Sequence, residues 1–203
     1  ESYYIDNVKV EGILPYCVGK VDFEFYDLVP SGATVDNIPT SGALGNGEFT
    51  SFDVDALQNQ VDPGDTDSFS IRYTGYIEIA TAGSYTFYTS SDDGSKLYIN
   101  GAQIVANDGN HGTQERLGTL TLASGLHTIE VLFFENSGGE NLIVQYEGPS
   151  IAKQNIPFSR LYSNCSGAID TTDTDADGTA VEISNKSSGR DRCGCLFRGR
   201  SCR

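Results

Sequence analysis

Between residues 68 and 146 the chain alternates polar and apolar residues almost without interruption, and this period of two dictates strands rather than helices. "SFSIRYTGYIEI" puts Phe69, Ile71, Tyr73, Ile77 and Ile79 on one face. "GSYTFYTS" does the same with Tyr85 and Phe87, "KLYING" with Leu97 and Ile99, and "GTLTLASG" with Leu120 and Leu122. "HTIEVLFF" contributes Ile129, Val131 and Phe133, and "NLIVQY" closes the series with Leu142, Val144 and Tyr146. Turns rich in Gly, Asn and Asp separate these runs every ~8–12 residues, the spacing of antiparallel strands in a sandwich or barrel. The fold class is therefore all-β and antiparallel, with long irregular loops.

The flanks read differently. "ESYYIDNVKVEG" alternates too, so residues 1–20 form an N-terminal extension or an added strand. Residues 30–67 are rich in turn formers and weakly periodic, which predicts an irregular excursion with one short strand. Beyond Leu161 the composition shifts to Asp, Thr, Ser and Gly. The strand-rich domain accordingly spans residues 21–162, and residues 163–203 form a linker and a basic, Cys-containing tail.

Charge narrows the partners. The 203 residues carry a formal net charge of −15, with no Trp and no Met. Six basic residues and one acid follow residue 185, so the preceding body carries −20. Such a body repels nucleic acid and anionic membranes and attracts cations. No stretch approaches the ~20 apolar residues of a membrane span. A chain without Met, position 1 included, is expected to be a mature or excised fragment; it is also expected to be covalently part of a larger multidomain protein.

Catalytic signatures are scarce. The two histidines are His111, in a glycine-rich turn, and His127, at a strand start. Both suit structural hydrogen bonding. No nucleophile elbow or phosphate-cradling glycine loop occurs. The adjacent carboxylates of Asp92 and Asp93 do not fit the cleft-spanning pair, about 5–9.5 Å apart, that glycoside hydrolysis uses. The expectation is a non-enzyme.

"SSDDGSKLYING" nevertheless poses a chemical problem, because Asp92 and Asp93 repel each other in a tight turn. On the dipeptide alone, a solvated polar turn is the better reading. The segments "YTGYIEIATAGSYTFYTSSDDGSKLYINGAQIVANDGNHG" and "GTLTLASGLHTIEVLFFENSGGENLIVQYEGP" change it. In order and spacing they resemble the protective-antigen fourteen-kilodalton (PA-fourteen) domain family from roughly Val21 to Leu161. The resemblance implies a two-sheet β-sandwich found in secreted glycosidases, adhesins, flocculins and toxins. It also implies, for lectin members, a Ca²⁺ site made by two aspartates joined through a cis peptide, with a second loop adding an amide side chain and main-chain carbonyls. Asp92 and Asp93 match the pair, Asn136 matches the second-loop side chain, and Gly138 and Glu140 match the carbonyl donors. Sugar contacts are then expected at Asp92, Asp93, Asn136 and Asn110.

Ca²⁺ takes 6–8 oxygen ligands at about 2.3–2.6 Å, so this set leaves positions that the vicinal hydroxyls of a sugar can fill. A bound divalent ion also cancels the repulsion between the aspartates. The expected function is a secreted or cell-surface Ca²⁺-dependent carbohydrate-binding module acting on a glycan ligand. The alternative is a non-catalytic structural or protein-interaction module of a larger secreted protein or glycosidase.

Two further signals lie toward the ends. Cys17 and Cys165 bracket the sandwich, and a disulfide between them would tie its termini together in an oxidising compartment. Asp173–Gly178, "DTDADG", matches the first half of an EF-hand loop, but position 12 is Ser184, so a solvated linker is expected.

Overall fold

The computed structural model describes residues 2–5, 8–11, 16–64 and 67–164. Its strands run in chain order as β1 (Ser2–Ile5), β2 (Val8–Glu11), β3 (Tyr16–Val18), β4 (Val21–Tyr26), β5 (Gly45–Phe49), β6 (Phe69–Ile79) and β7 (Gly83–Asp92). They continue as β8 (Ser95–Ile99), β9 (Ala102–Asn107), β10 (Gln114–Leu122), β11 (Gly125–Glu135), β12 (Asn141–Gly148), β13 (Ile151–Asn155) and β14 (Leu161–Asn164). The expected sandwich is present. The larger sheet has the order β3-β14-β6-β11-β8-β9, with β4 and then β5 flanking the first half of β6. The smaller sheet has the order β10-β7-β12-β13.

The alternating stripes meet between the sheets. Phe69, Ile71, Tyr73, Ile77, Ile79, Phe87, Leu97, Ile99, Val131 and Phe133 are each 2% exposed or less, and they form one apolar cluster with Leu142, Val144 and Tyr146. Each such large side chain contributes about 1.5–3 kcal/mol on burial, which fixes strand register because a one-residue slip would turn the stripe to solvent. Where the edge strands β9 and β10 approach, Gly118 sits so close to the Ile104 carbonyl that a Cβ would strike the backbone. Only glycine permits the two sheets to close there.

A smaller cluster forms on the outer face of the larger sheet. The loop at 27–44 folds over Leu132 and Phe134, burying Val35 and Ile38 against Tyr26. Lys96 anchors that loop through an ion pair to Asp36 (2.6 Å) and also pairs with Asp108 (3.0 Å), whose carboxylate accepts from the Thr34 hydroxyl and the Val35 N–H of the loop.

Three sequence expectations need correction or bounding. The stretch read as irregular with one strand holds β5, the 3-10 turn Val35–Asn37 and an α-helix, α1 (Val54–Val61). Asp53 caps α1 by accepting from the Ala56 N–H at 2.9 Å, and Val54, Leu57 and Gln58 form its buried side. Two turns are too short for a sustained helical period, so the signal was lost among the flanking Asp and Gly residues. The N-terminal alternation is a hairpin of two strands, β1 with β2, and β3 joins the larger sheet beside β14. Cys17 is buried in β3, whereas Cys165, its expected partner, and "DTDADG" lie outside the described residues.

Candidate metal and glycan site

The site grows out of the same alternation that builds the core. Along β7 the inward residues pass from Tyr85 and Phe87 to Thr89 and Ser91, and the next inward position is Asp93. Along β11 they pass from Ile129, Val131 and Phe133 to Glu135. The interior therefore turns polar toward one end of the sandwich. Thr89, Ser91, Ser95 and Asn107 form a buried network behind the site. Ser91 and Ser95 hydroxyls are 2.7 Å apart, Ser95 donates to Thr89 at 2.9 Å, and Asn107 Nδ2 donates to Ser91 at 3.0 Å.

Asp92 ends β7, and Asp93 with Gly94 makes the turn to β8. The Asp92–Asp93 peptide is cis, as the resemblance implies. A side chain at Gly94 would collide with the ring of the buried Phe134, and its carbonyl accepts the Phe134 N–H at 3.0 Å. This locks the turn onto β11.

Backbone N–H groups from two other loops hold the carboxylates. Asp93 is 5% exposed. Its Oδ1 accepts from the His111 N–H at 2.7 Å, and its Oδ2 accepts from the Asn136 N–H at 3.0 Å. Asp92 Oδ2 accepts from the Thr113 N–H at 3.0 Å and from the Thr113 hydroxyl at 3.3 Å. Charge-assisted bonds of this kind fix the position of an anion without neutralising it.

A third carboxylate completes the cluster. Ligand oxygens of Asp92, Asp93 and Glu135 lie within 4.8 Å of one another. Glu135 is fully buried, and neither of its carboxylate oxygens has a hydrogen-bond partner. Burial, followed by the charges of Asp93, Asp92 and Glu140, pushes its carboxyl up to about 8. The Asp93 peptide N–H, outside hydrogen-bonding geometry, offsets part of that rise.

These residues fit a divalent cation. Oxygens on opposite sides of one Ca²⁺ are at most about 5 Å apart, given bonds of about 2.3–2.6 Å, and the cluster stays inside that limit. A buried carboxylate with no partner is costly unless something compensates it, and a cation would do so.

The sequence-derived residues fall as follows. Asn136 is half-buried beside Asp93, bound through its backbone N–H, and its carbonyl accepts from Ser68 at 3.3 Å. The Gly138 N–H donates to Asp67 Oδ1 at 3.1 Å, which ties the second loop to the chain entering β6. Glu140 is close enough to act on Glu135 electrostatically. Asn110 is exposed on the 107–113 loop, next to His111, and none of the described hydrogen bonds joins it to the cluster. His111 has the expected structural role, with its ring nitrogens 3.1 Å from the carbonyls of Gly112 and Asn107. His127 bonds Asn100 at 2.8 Å and the Ala123 carbonyl at 2.9 Å.

Sequence reasoning missed Glu135. The signal was present: it occupies the next inward position after Phe133, so a charged residue sits where the alternation demands an apolar one.

Comparison with known proteins agrees with this architecture. The PA14 domain family model matches residues 51–160. The PA14 domain of the antifreeze protein MpAFP superposes with a TM-score of 0.58 at 16% identity, covering 77% of this chain and 97% of that one. The PA14 sugar-binding domain from an RTX adhesin gives 0.57 at 21% identity, covering 72% and 99%. The anti-sigma-I factor RsgI3 of Acetivibrio thermocellus is 28% identical over 97 residues, which is 47% of this chain and 15% of that protein's length. At these identities the structural likeness establishes a shared fold. With more than half of its 203 residues matched by the family model, the chain belongs to the PA14 domain family.

Proposed function

We propose that this chain is a non-catalytic, Ca²⁺-dependent carbohydrate-binding module. The observation that carries the reading is the convergence of Asp92, Asp93 and the partnerless, buried Glu135 at one end of the sandwich. A sugar-binding PA14 domain among the structures sharing the fold supports it.

In this reading Asp92 and Asp93 are the outer carboxylates, prepositioned by Thr113, His111 and Asn136. Glu135 is an additional ligand behind them. Asn136, with the carbonyls of Gly138 and Glu140, supplies the second loop, and Asn110 contacts the sugar from the neighbouring loop. The bound Ca²⁺ supplies coordination positions for vicinal hydroxyls. The carboxylate oxygens not consumed by ligation accept hydrogen bonds from those same hydroxyls. Affinity for one sugar is weak, and useful strength comes from repeated sites on the target.

The module belongs to a secreted or surface-exposed multidomain protein, with Cys17 joined to Cys165 across the ends of the sandwich. Calorimetry with calcium chloride, followed by a glycan array with and without chelator, tests the proposal. Calcium uptake with chelator-sensitive glycan binding is expected. No calcium uptake refutes it, and calcium uptake with a blank array leaves the interaction-module alternative.

A further inference from the structure

Beside the carboxylate cluster the smaller sheet is left incomplete. β12 pairs with β7 from Asn141 to Glu147, but β13 covers its other edge only from Gln145 to Gly148. After the Ile156 N–H bonds the Val144 carbonyl at 3.1 Å, the chain leaves that edge for the 3-10 turn Phe158–Arg160. The opening between the start of β12 and the start of α1 is a groove of about 400 Å³, within the ~300–1,000 Å³ usual for small-ligand sites.

The groove combines apolar and polar walls. Its floor is Leu142, Val144, Ile156 and Phe158, and its rim carries Asp55, Glu140, Asn141 and Asn155. Backbone groups contribute as well. In an antiparallel strand the N–H and C=O of alternate residues point to the same edge. Val144 directs its carbonyl to the Ile156 side, so Leu142, two residues earlier, directs its N–H and C=O into the groove.

The mouth of the groove adjoins the cluster. Asn141 is the Cα partner of Asp92, and Glu140 acts electrostatically on Glu135.

We infer that the groove binds the following residues of a glycan chain whose terminal sugar sits at the carboxylate cluster, an inference that rests on the lectin reading above. Sugar rings would lay their C–H faces on Leu142 and Phe158 and give their hydroxyls to Asn155, Asn141 and the rim carboxylates. The acidic rim selects neutral or amino-bearing oligosaccharides over anionic ones.

The test is a printed array of mono-, di- and trisaccharides sharing the same terminal sugars, probed in millimolar calcium chloride, with titration calorimetry on each terminal sugar that binds. Asn155→Trp and Asp55→Trp fill the groove from opposite walls at exposed positions. The di- and trisaccharides are expected to bind about tenfold tighter than the monosaccharide. Both variants should erase that gain while leaving monosaccharide affinity within about twofold. Equal affinity at every length overturns the groove but keeps the metal site, as does a length gain that survives in both variants. Binding of no sugar at any length fails the lectin reading itself, and the groove with it.

Discussion

The backbone N–H of Asn136 donates to Oδ2 of Asp93 at 3.0 Å, across a sequence separation of 43 residues. This bond joins the two loops that make the candidate cation site, and the His111 N–H at 2.7 Å holds the opposite oxygen of the same carboxylate. Asp93 therefore organises the site as well as contributing to it. Asp92, half-buried and held through a single oxygen, has the lighter structural burden.

The two aspartates should respond differently to substitution. Asp93→Ala leaves the Asn136 and His111 N–H groups without their acceptor, at about 1–3 kcal/mol for each buried donor left unsatisfied. Calcium binding should be lost and the protein destabilised by about 2–6 kcal/mol. Asp92→Ala should lose calcium binding at a stability cost near 1 kcal/mol. Calcium titration and thermal unfolding of both variants distinguish these outcomes.

Glu135→Gln separates ligand from core residue. With its carboxyl pushed up to about 8, Glu135 must take up a proton to be buried at neutral pH without calcium; glutamine carries no such cost, so the calcium-free protein should unfold at a higher temperature than the parent. Calcium affinity should fall by about tenfold or more, since ligand charge count sets affinity. An unchanged calcium affinity would remove Glu135 from the site.

Calcium itself should stabilise the fold. At a concentration one hundred times its dissociation constant, a ligand bound only by the native state contributes about 2.7 kcal/mol. A calcium-dependent rise in the unfolding temperature that vanishes in Asp92→Ala is expected, and differential scanning fluorimetry reads it.

The Lys96–Asp108 pair predicts an acid-sensitive contribution to stability. Burial raises the Asp108 pKa, but the Thr34 hydroxyl, the Val35 N–H and Lys96 together hold it below the ordinary carboxylate value. A depressed carboxyl stabilises the fold above its unfolded pKa, about 3.9, and that contribution disappears as pH falls through the lower folded value. Asp108→Asn should flatten the unfolding profile below pH ~4. At neutral pH it should cost an amount between the roughly 1 kcal/mol of an exposed pair and the roughly 3–5 kcal/mol of a buried one.

Gly94→Ala tests the packing of the aspartate turn against Phe134. The added methyl has no space beside the ring, and overpacking of this kind costs about 1–3 kcal/mol. Unfolding in denaturant should show the loss, together with weakened calcium binding because the turn must shift.

The alternation of residues 68–146 by itself determined the strands, their buried faces and the turn that carries Asp92 and Asp93. Those features follow from local periodicity, in which each inward side chain gains by leaving water whatever its eventual partner. Glu135 was legible in part, since its inward position followed from Ile129, Val131 and Phe133, but its meeting with Asp93 was not. The helix Val54–Val61 escaped because two turns carry too little periodicity, and its buried Leu57 acquires meaning only against the sandwich core. What the tertiary structure alone decided is which loop ends come together. The Asp93–Asn136 bond, the three-carboxylate cluster and the groove left where β13 departs from β12 all depend on long-range strand pairing. No periodicity within a single strand encodes which distant strand it will lie beside.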